Sequence, residues 1–310
     1  MQELKLLGLI HRINQWVIHS RWVNCLTTKH YFLVLFIMLI FGSSYPVNKL
    51  ALNTSLPPML AGSLRMFILF IFLIPFCKFK IPDKKYFFPL IGFSLTMGFG
   101  VIFFLNLSLG KATLVAPIII GAQLAIPFAI LVSSIFLGEK VSTKQWILIF
   151  ISFFGIFLIG YDPNLKGEIY ALFLCGISAF FYGIANVLSR YIKEVDVKFS
   201  NMVMGLTGFI TILIFSIFTE GNTINHLKKI DINTWFLLLH NGVTVSVIAH
   251  TSLFYLYKFY SVNKVMPFYS LFPIFGLILT FLIFGEIPTI LSTIGGAIVI
   301  ISVYQLQKIR

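Results

Sequence analysis

From Tyr31 onward the chain alternates between apolar runs of roughly twenty residues and brief polar breaks. The runs hold too few polar groups to be ordinary surface helices. Their length is what a helix needs to cross the hydrocarbon core of a bilayer. The pattern predicts ten such helices, over 31–51, 58–77, 86–109, 113–137, 144–161, 167–189, 199–219, 234–258, 265–284 and 288–306. The breaks are short, such as Leu56-Pro57-Pro58, Gly110-Lys111 and Gly285-Glu286. Even the longest, Glu220 to Asp231, is too short to fold as a soluble domain.

Composition narrows the class. Only 11% of the residues are charged and 58% are hydrophobic, against about 25% charged in a typical soluble domain. Such a chain cannot cover itself with a hydrated surface, so a bilayer is its expected solvent. Its use of 35 Phe suits lipid-facing helices. The net charge of +13 would suggest nucleic acid in a soluble protein. Here basic cytoplasmic loops account for it. With the N-terminus inside, 17 Lys and Arg fall on the inner side and 5 on the outer, with Arg65 left within the second helix. Both termini are therefore expected in the cytoplasm, as an even helix count requires. Residues 1–30 carry Lys5, Arg12, Arg21 and Lys29 with no cleavage-type site, so a secretory signal is not expected. A surface amphipathic helix, a variable tail and a mis-assigned start all remain open there. Cys25, Cys77 and Cys175 have neither disulfide nor metal spacing.

The pattern also repeats internally. PFAILVSSIFLGE runs from Pro127 to Glu139, and PIFGLILTFLIFGE from Pro273 to Glu286. Each starts at a proline and stops at Gly-Glu, where a helix leaves hydrocarbon. FGSSYPVNK, from Phe41 to Lys49, likewise has a counterpart in YGIANVLSR, from Tyr182 to Arg190. The repeating unit is five helices. Five is odd, so the second copy enters the membrane from the opposite side. The expected fold class is thus an all-α membrane protein, with ten transmembrane helices in two inverted five-helix repeats. A cytoplasmic segment at 1–30 precedes repeats at 31–161 and 167–306. Such a fold places a substrate site near mid-membrane between its halves.

FGSSYPVNKLAL, PPMLAGSLR with Arg65, and the LGEKVSTKQW and FGEIPTILSTIGG junctions occur in an order and spacing that resemble the drug/metabolite transporter superfamily. The resemblance is to its ten-helix EamA-type branch and covers nearly all of Tyr31 to Gln307. PPMLAGSLR and the GAQ at Gly121-Ala122-Gln123 look most like the bacterial cysteine and O-acetylserine exporters. Relatives in that branch often carry Trp where Phe41 stands and Gly where Leu148 and Ser302 stand. Loss of those glycines is expected to weaken close packing of the fifth and tenth helices.

All ten acidic residues fall outside the helix centres, which disfavours a carboxylate-driven proton antiporter. Glu139 and Glu286 are expected to be helix-end anchors. His250 is the next group able to titrate near neutrality, as a proton-coupling residue or as a packing histidine. Arg65 lies within the second helix, where a charge costs about 2.5–3.5 kcal/mol on insertion scales. It either binds an anionic part of a solute or ties its helix to loop carbonyls. Lys49 lies nearer the interface, within snorkelling reach. Asn48, Asn106, Gln123, Tyr182, Asn186, Ser246, Tyr255 and Tyr269 are candidates for the solute path, or for bonds between helices. Pro117, Pro127, Pro267 and Pro273 would loosen the fourth and ninth helices as moving gates, or as fixed kinks.

The expected function is secondary transport of a small polar metabolite by alternating access, in the inner (plasma) membrane. The resemblance implies an amino acid or similar zwitterion, moved outward. Drugs, or nucleotide-, polyamine- or S-adenosylmethionine-like solutes, are the alternative cargo; a lipid-handling membrane protein and a channel are the alternatives of another class. The sequence has no phosphate-binding loop of the G-x-x-x-x-G-K-[ST] type, which argues against primary pumping, and no zincin-like histidine pair or sign of a cofactor or metal, so an enzyme is not expected. The expected partners are the solute and the lipid, without nucleic acid, for a monomer or homodimer.

Overall fold

The computed structural model describes residues 26–77, 79, 81–257, 259–260 and 265–309. The readings made on 1–25, and on Lys78, Lys80, Lys258, Lys264 and Arg310, lie outside the described residues. The described chain is helical, without a strand. Nine helices are long and apolar enough to cross a membrane among the described residues. They are α1 (Thr28–Asn53), α2 (Pro58–Phe76), α3 (Lys84–Lys111), α4 (Ala116–Leu137), α5 (Thr143–Tyr161), α6 (Leu165–Tyr191), α7 (Val197–Thr219), α8 (Ile232–Leu253) and α10 (Ile290–Ile309). Between the last two lies α9 (Phe268–Phe284), which is apolar but shorter. α8 continues helically to Tyr257.

Local chemistry fixes the helix ends. The side chains of Asp196 and Asp231 accept from Phe199 N and Thr234 N at the starts of α7 and α8. Ser142 and Gln145 form a reciprocal capping box at the start of α5. α4 and α9 both end on a glycine in the left-handed region, Gly138 at φ 64° and Gly285 at φ 68°. Only glycine takes that conformation without a steric cost. This is the physical content of the Gly-Glu stops seen in the sequence.

The helices pack in pairs that join the two halves of the chain: α1 with α9, α4 with α6, α2 with α7 and α8, α3 with α6 and α7, α1 with α8, and α5 with α10. Backbone contact between small residues makes the crossings close. A Cβ on Gly42 of α1 would stand 2.7 Å from both Gly276 N and Phe272 O of α9. One on Gly183 of α6 would stand 2.9 Å from Ala129 N of α4. The expected weakening of the α5–α10 contact is not observed. Gly155 and Gly295, rather than positions 148 and 302, bring those backbones together: a Cβ on either would come within 2.8 Å of the other's carbonyl oxygen. Many of the exposed large side chains are aromatic and ring the outer wall, among them Phe88, Phe150, Phe154, Phe157 and Phe218. That wall suits lipid.

Gly42→Leu is therefore expected to cost at least about 1–3 kcal/mol through overpacking against fixed backbone. A lower melting temperature in detergent would register it.

Two helices depart from α geometry in a way the sequence did not announce. α3 is π-helical from Ser94 to Val101, and α8 from His240 to Ala249. Insertions of this kind concentrate at functional sites. In both, a glycine at the wide turn presses the backbone onto a neighbour. Gly98 meets Met204 O and Gly208 of α7, and Gly242 meets Ile68 of α2.

Candidate functional site

The wide turn of α8 faces α1 and α2, and polar side chains from the three helices meet there. Arg65, two turns into α2, is 7% exposed and donates from Nε and Nη2 to Ser246 Oγ, each at 3.3 Å. Ser246 has spent its own proton on Asn241 O, 2.8 Å away and five residues back, as the wide turn permits. Ser44 Oγ of α1 donates to Asn241 Oδ1 at 3.1 Å. Ser43 Oγ donates to Ile40 O, so the 2.8 Å contact between Ser43 Oγ and His240 Nε2 carries the histidine's proton. Tyr45, His240 and His250 lie within electrostatic reach of the guanidinium. No carboxylate among the described residues bonds or pairs with Arg65. The arginine is thus bound to a hydroxyl inside the bundle, not to loop carbonyls.

Aromatic rings form the wall beside this cluster. Tyr45 stacks on Phe272, with ring centroids 6.0 Å apart and planes 4° apart. Phe41 contacts the rings of His250 and Tyr269 at 4.9 and 5.6 Å. The side chains of Tyr182 on α6 and Tyr269 on α9 hydrogen-bond, which links the wall to α6.

The remaining predicted site residues are distributed as follows. Asn48 Nδ2 donates to Asn106 Oδ1 at 3.1 Å, and Asn106 Nδ2 to Ile102 O. That pair clamps α1 to α3. Asn186 Nδ2 donates to Tyr182 O in its own helix. Gln123 is buried, and its Nε2 has no partner among the described residues. Tyr255 is 45% exposed and packs on His30 and Phe259, away from the cluster. Pro117 occupies the first turn of α4, where a proline releases no hydrogen bond. Pro127 and Pro273 follow short 3₁₀ turns, at Ala122–Leu124 and Met266–Leu271. Pro267 lies in the second of these turns. Among the described residues, no three His, Cys, Asp or Glu side chains gather as a metal site.

A second polar system lies at the end of the bundle where α2 and α4 begin, and sequence reasoning did not foresee it. Glu286, beyond α9, accepts from Val115 N at 3.0 and 2.9 Å and from Ala116 N at 3.1 Å. Glu168, at the start of α6, accepts from Thr113 N at 2.9 Å, from Leu114 N at 3.3 Å, and from Thr113 Oγ1. Two glutamates thus receive four consecutive backbone N–H groups leading into α4. These are the donors a helix start leaves unpaired, and negative charge is favoured beside them. Glu220 does the same for α2, accepting from Met59 N at 2.7 Å and Leu60 N at 2.9 Å. Pro57 and Pro58 have no N–H to satisfy, so one carboxylate completes that start. Lys49 Nζ donates to Leu109 O and Ala112 O at the end of α3, and Thr289 to Asp162. The Gly-Glu signature marked Glu286 only as a helix end. Its partners are about 170 residues away, and no local signal points to them.

A sequence profile of the EamA-like transporter family matches this chain twice, over residues 28–161 and 169–306. A probable amino-acid metabolite efflux pump of Escherichia coli K12 is 24% identical over 283 residues, 88% of this chain and 92% of the relative. A protein of the same description from Salmonella typhimurium LT2 is 24% identical over 90% of this chain and 95% of its own. An uncharacterized transporter of Bacillus subtilis is 25% identical over 84% of this chain and 85% of its own. One solved crystal structure aligns with a TM-score of 0.61 at 15% identity, covering 91% of this chain and 98% of that one, a likeness of fold.

Proposed function

The chain belongs to the EamA-like transporter family and is a multi-pass inner-membrane transporter, not an enzyme; from that premise we propose that it exports a small polar metabolite bearing a carboxylate. An amino acid or similar zwitterion is the cargo, and alternating access is the mechanism. The observation that carries this reading is Arg65, a buried cation held by one hydroxyl, with no acidic partner among the described residues. An unpaired charge inside the membrane is costly, and a solute carboxylate would offset that cost at the moment of binding. The family's relatives described as amino-acid metabolite efflux pumps agree with this cargo.

The architecture that serves it is two inverted repeats, 31–161 and 167–306, with both termini in the cytoplasm. The packing supports the repeat. Adding five to each helix number, modulo ten, turns α1–α9 into α6–α4, α2–α8 into α7–α3, and α3–α6 into α8–α1, while α2–α7 and α5–α10 map onto themselves. Both π-helical segments and both Gly-ended helices obey the same relation. The halves would rock about the Arg65 cluster, with α4 and α9 as the moving elements below Pro127 and Pro273.

The test is counterflow in proteoliposomes. Preloaded unlabelled amino acids are expected to drive saturable accumulation of the labelled compound. Accumulation driven only by polyamines or cationic drugs, with none by carboxylated solutes, would overturn the proposed cargo.

A further inference from the structure

Asn241 plays no part in the reading above, yet its position is the most constrained in the cluster. It is 1% exposed. Ser44 holds its Oδ1, which fixes the amide plane, and Nδ2 has no partner among the described residues. An amide so deeply buried normally has its donors met, so a vacant Nδ2 marks a place for an acceptor. Ser246 links the same turn to Arg65: its proton goes to Asn241 O and its oxygen receives the guanidinium. Gly242 lets this turn lie against α2 at the level of Arg65, with a built Cβ 3.4 Å from Arg65 O. The groups left over in this turn are therefore donors, Arg65 Nη1 and Asn241 Nδ2. The described acidic residues all stand at helix ends or in connections, Asp83, Glu139, Asp162, Glu168, Glu194, Asp196, Glu220, Asp231 and Glu286. Among the described residues none of them bonds to a group of the cluster.

We propose that Arg65 and Asn241, set by the wide turn of α8, form a clamp that reads the solute's carboxylate and leaves its ammonium unpaired. The specificity that follows is for small monocarboxylates as a class: an amino acid and its 2-hydroxy acid bind alike, and the corresponding amine does not bind. The planar carboxylate offers two oxygens to two donors, the geometry in which such recognition is strongest. This inference rests on Arg65 being the solute-binding cation.

The experiment is inhibition of counterflow, with melting temperature as a second readout, using two matched series on the wild-type protein. One is L-serine, glycerate and ethanolamine. The other is L-leucine, 2-hydroxy-4-methylpentanoate and 3-methylbutylamine. In the series that is accepted, the amino acid and hydroxy acid are expected within about threefold of each other, and the amine at least about thirtyfold weaker, since it forfeits the charge-assisted bonds. A hydroxy acid more than tenfold weaker than its amino acid, or an amine of equal strength, overturns the clamp while amino-acid transport stands. If no carboxylated member of either series acts, the Arg65 reading fails and takes the clamp with it. Asn241→Leu, which keeps the branched heavy-atom skeleton, is expected to raise the half-saturation concentration for the accepted acid by about tenfold with little change in maximal rate. Asn241→Asp sets a carboxylate beside Arg65 and is expected to abolish binding of the acid. Unchanged half-saturation in both variants, each with a wild-type melting temperature, would refute Asn241's part.

Discussion

Arg65→Ala is expected to lower counterflow of a carboxylated solute by about two orders of magnitude, because truncating one partner of a buried charge contact costs about 2–5 kcal/mol and each 1.4 kcal/mol is tenfold. The same variant is expected to keep or raise the melting temperature. In the resting bundle Arg65 is a buried charge whose bonds among the described residues are two 3.3 Å contacts to one hydroxyl, and such a group is a burden on folding. Arg65→Lys keeps the charge but loses the planar fork, so intermediate transport is expected. A structural arginine predicts the opposite pair of results: a lowered melting temperature, with normal transport by each folded molecule. The two readings of Arg65 left open by the sequence therefore separate on two measurements made with one variant.

How much of this was readable beforehand varies with the distance over which each feature is decided. The nine long spans and the shorter α9 were legible because burial in hydrocarbon requires long apolar runs, and the observed bounds differ from the expected ones by only a few residues: 144–161 became Thr143–Tyr161, and 199–219 became Val197–Thr219. The Gly138 and Gly285 ends were legible because a left-handed helix end favours glycine. Arg65 stood out as a charge within an apolar run. Its partner did not, since Ser246 is 181 residues away and serines are common. Asn48 and Asn106 were credible path residues by type; Asn48 donates to Asn106, which donates to Ile102 O. Tyr255 was a candidate for its phenol; it is 45% exposed and packs on His30 and Phe259. The wide turns of α3 and α8 were not foreseen, because whether a helix widens is decided by what packs against it. The carboxylates over α4 were hidden for the same reason. A glutamate at a helix end reads as an interfacial stop until the neighbouring helix start is known.

Those carboxylates lead to the second large effect, Glu286→Ala. Val115 N and Ala116 N would lose their acceptor, and an unmet buried donor costs about 1–3 kcal/mol. Glu168 would still hold Thr113 and Leu114, so the bundle is expected to fold. The cost falls on the conformation in which this end is closed, since opening must separate α4 from Glu286 in any case. The equilibrium is then expected to shift toward opening by about five- to a hundredfold. Cys175 reports it: it is 1% exposed beneath α4, with Sγ donating to Ile118 O at 3.4 Å. With Cys25 and Cys77 replaced by serine, labelling of Cys175 by an impermeant thiol reagent is expected to quicken by that factor in Glu286→Ala. In Glu194→Ala, which loses only an exposed contact to Tyr86, it should not change. Equal labelling in Glu286→Ala and its parent would show that Glu286 does not latch this end. Acid is not expected to spring the latch. Burial holds the Glu286 carboxyl above its ordinary range, opposed by the bonds from Val115 and Ala116 and by Lys49, and reinforced by Glu168. A carboxyl raised in the closed state binds its proton more tightly there. The part of closure that this proton supplies, apart from the bonds to Val115 and Ala116, is therefore full below the ordinary glutamate value and is lost as pH rises through the raised one. Cys175 labelling in the parent is accordingly expected to stay level or slow as the pH falls from neutrality, and faster labelling in acid would contradict this sign.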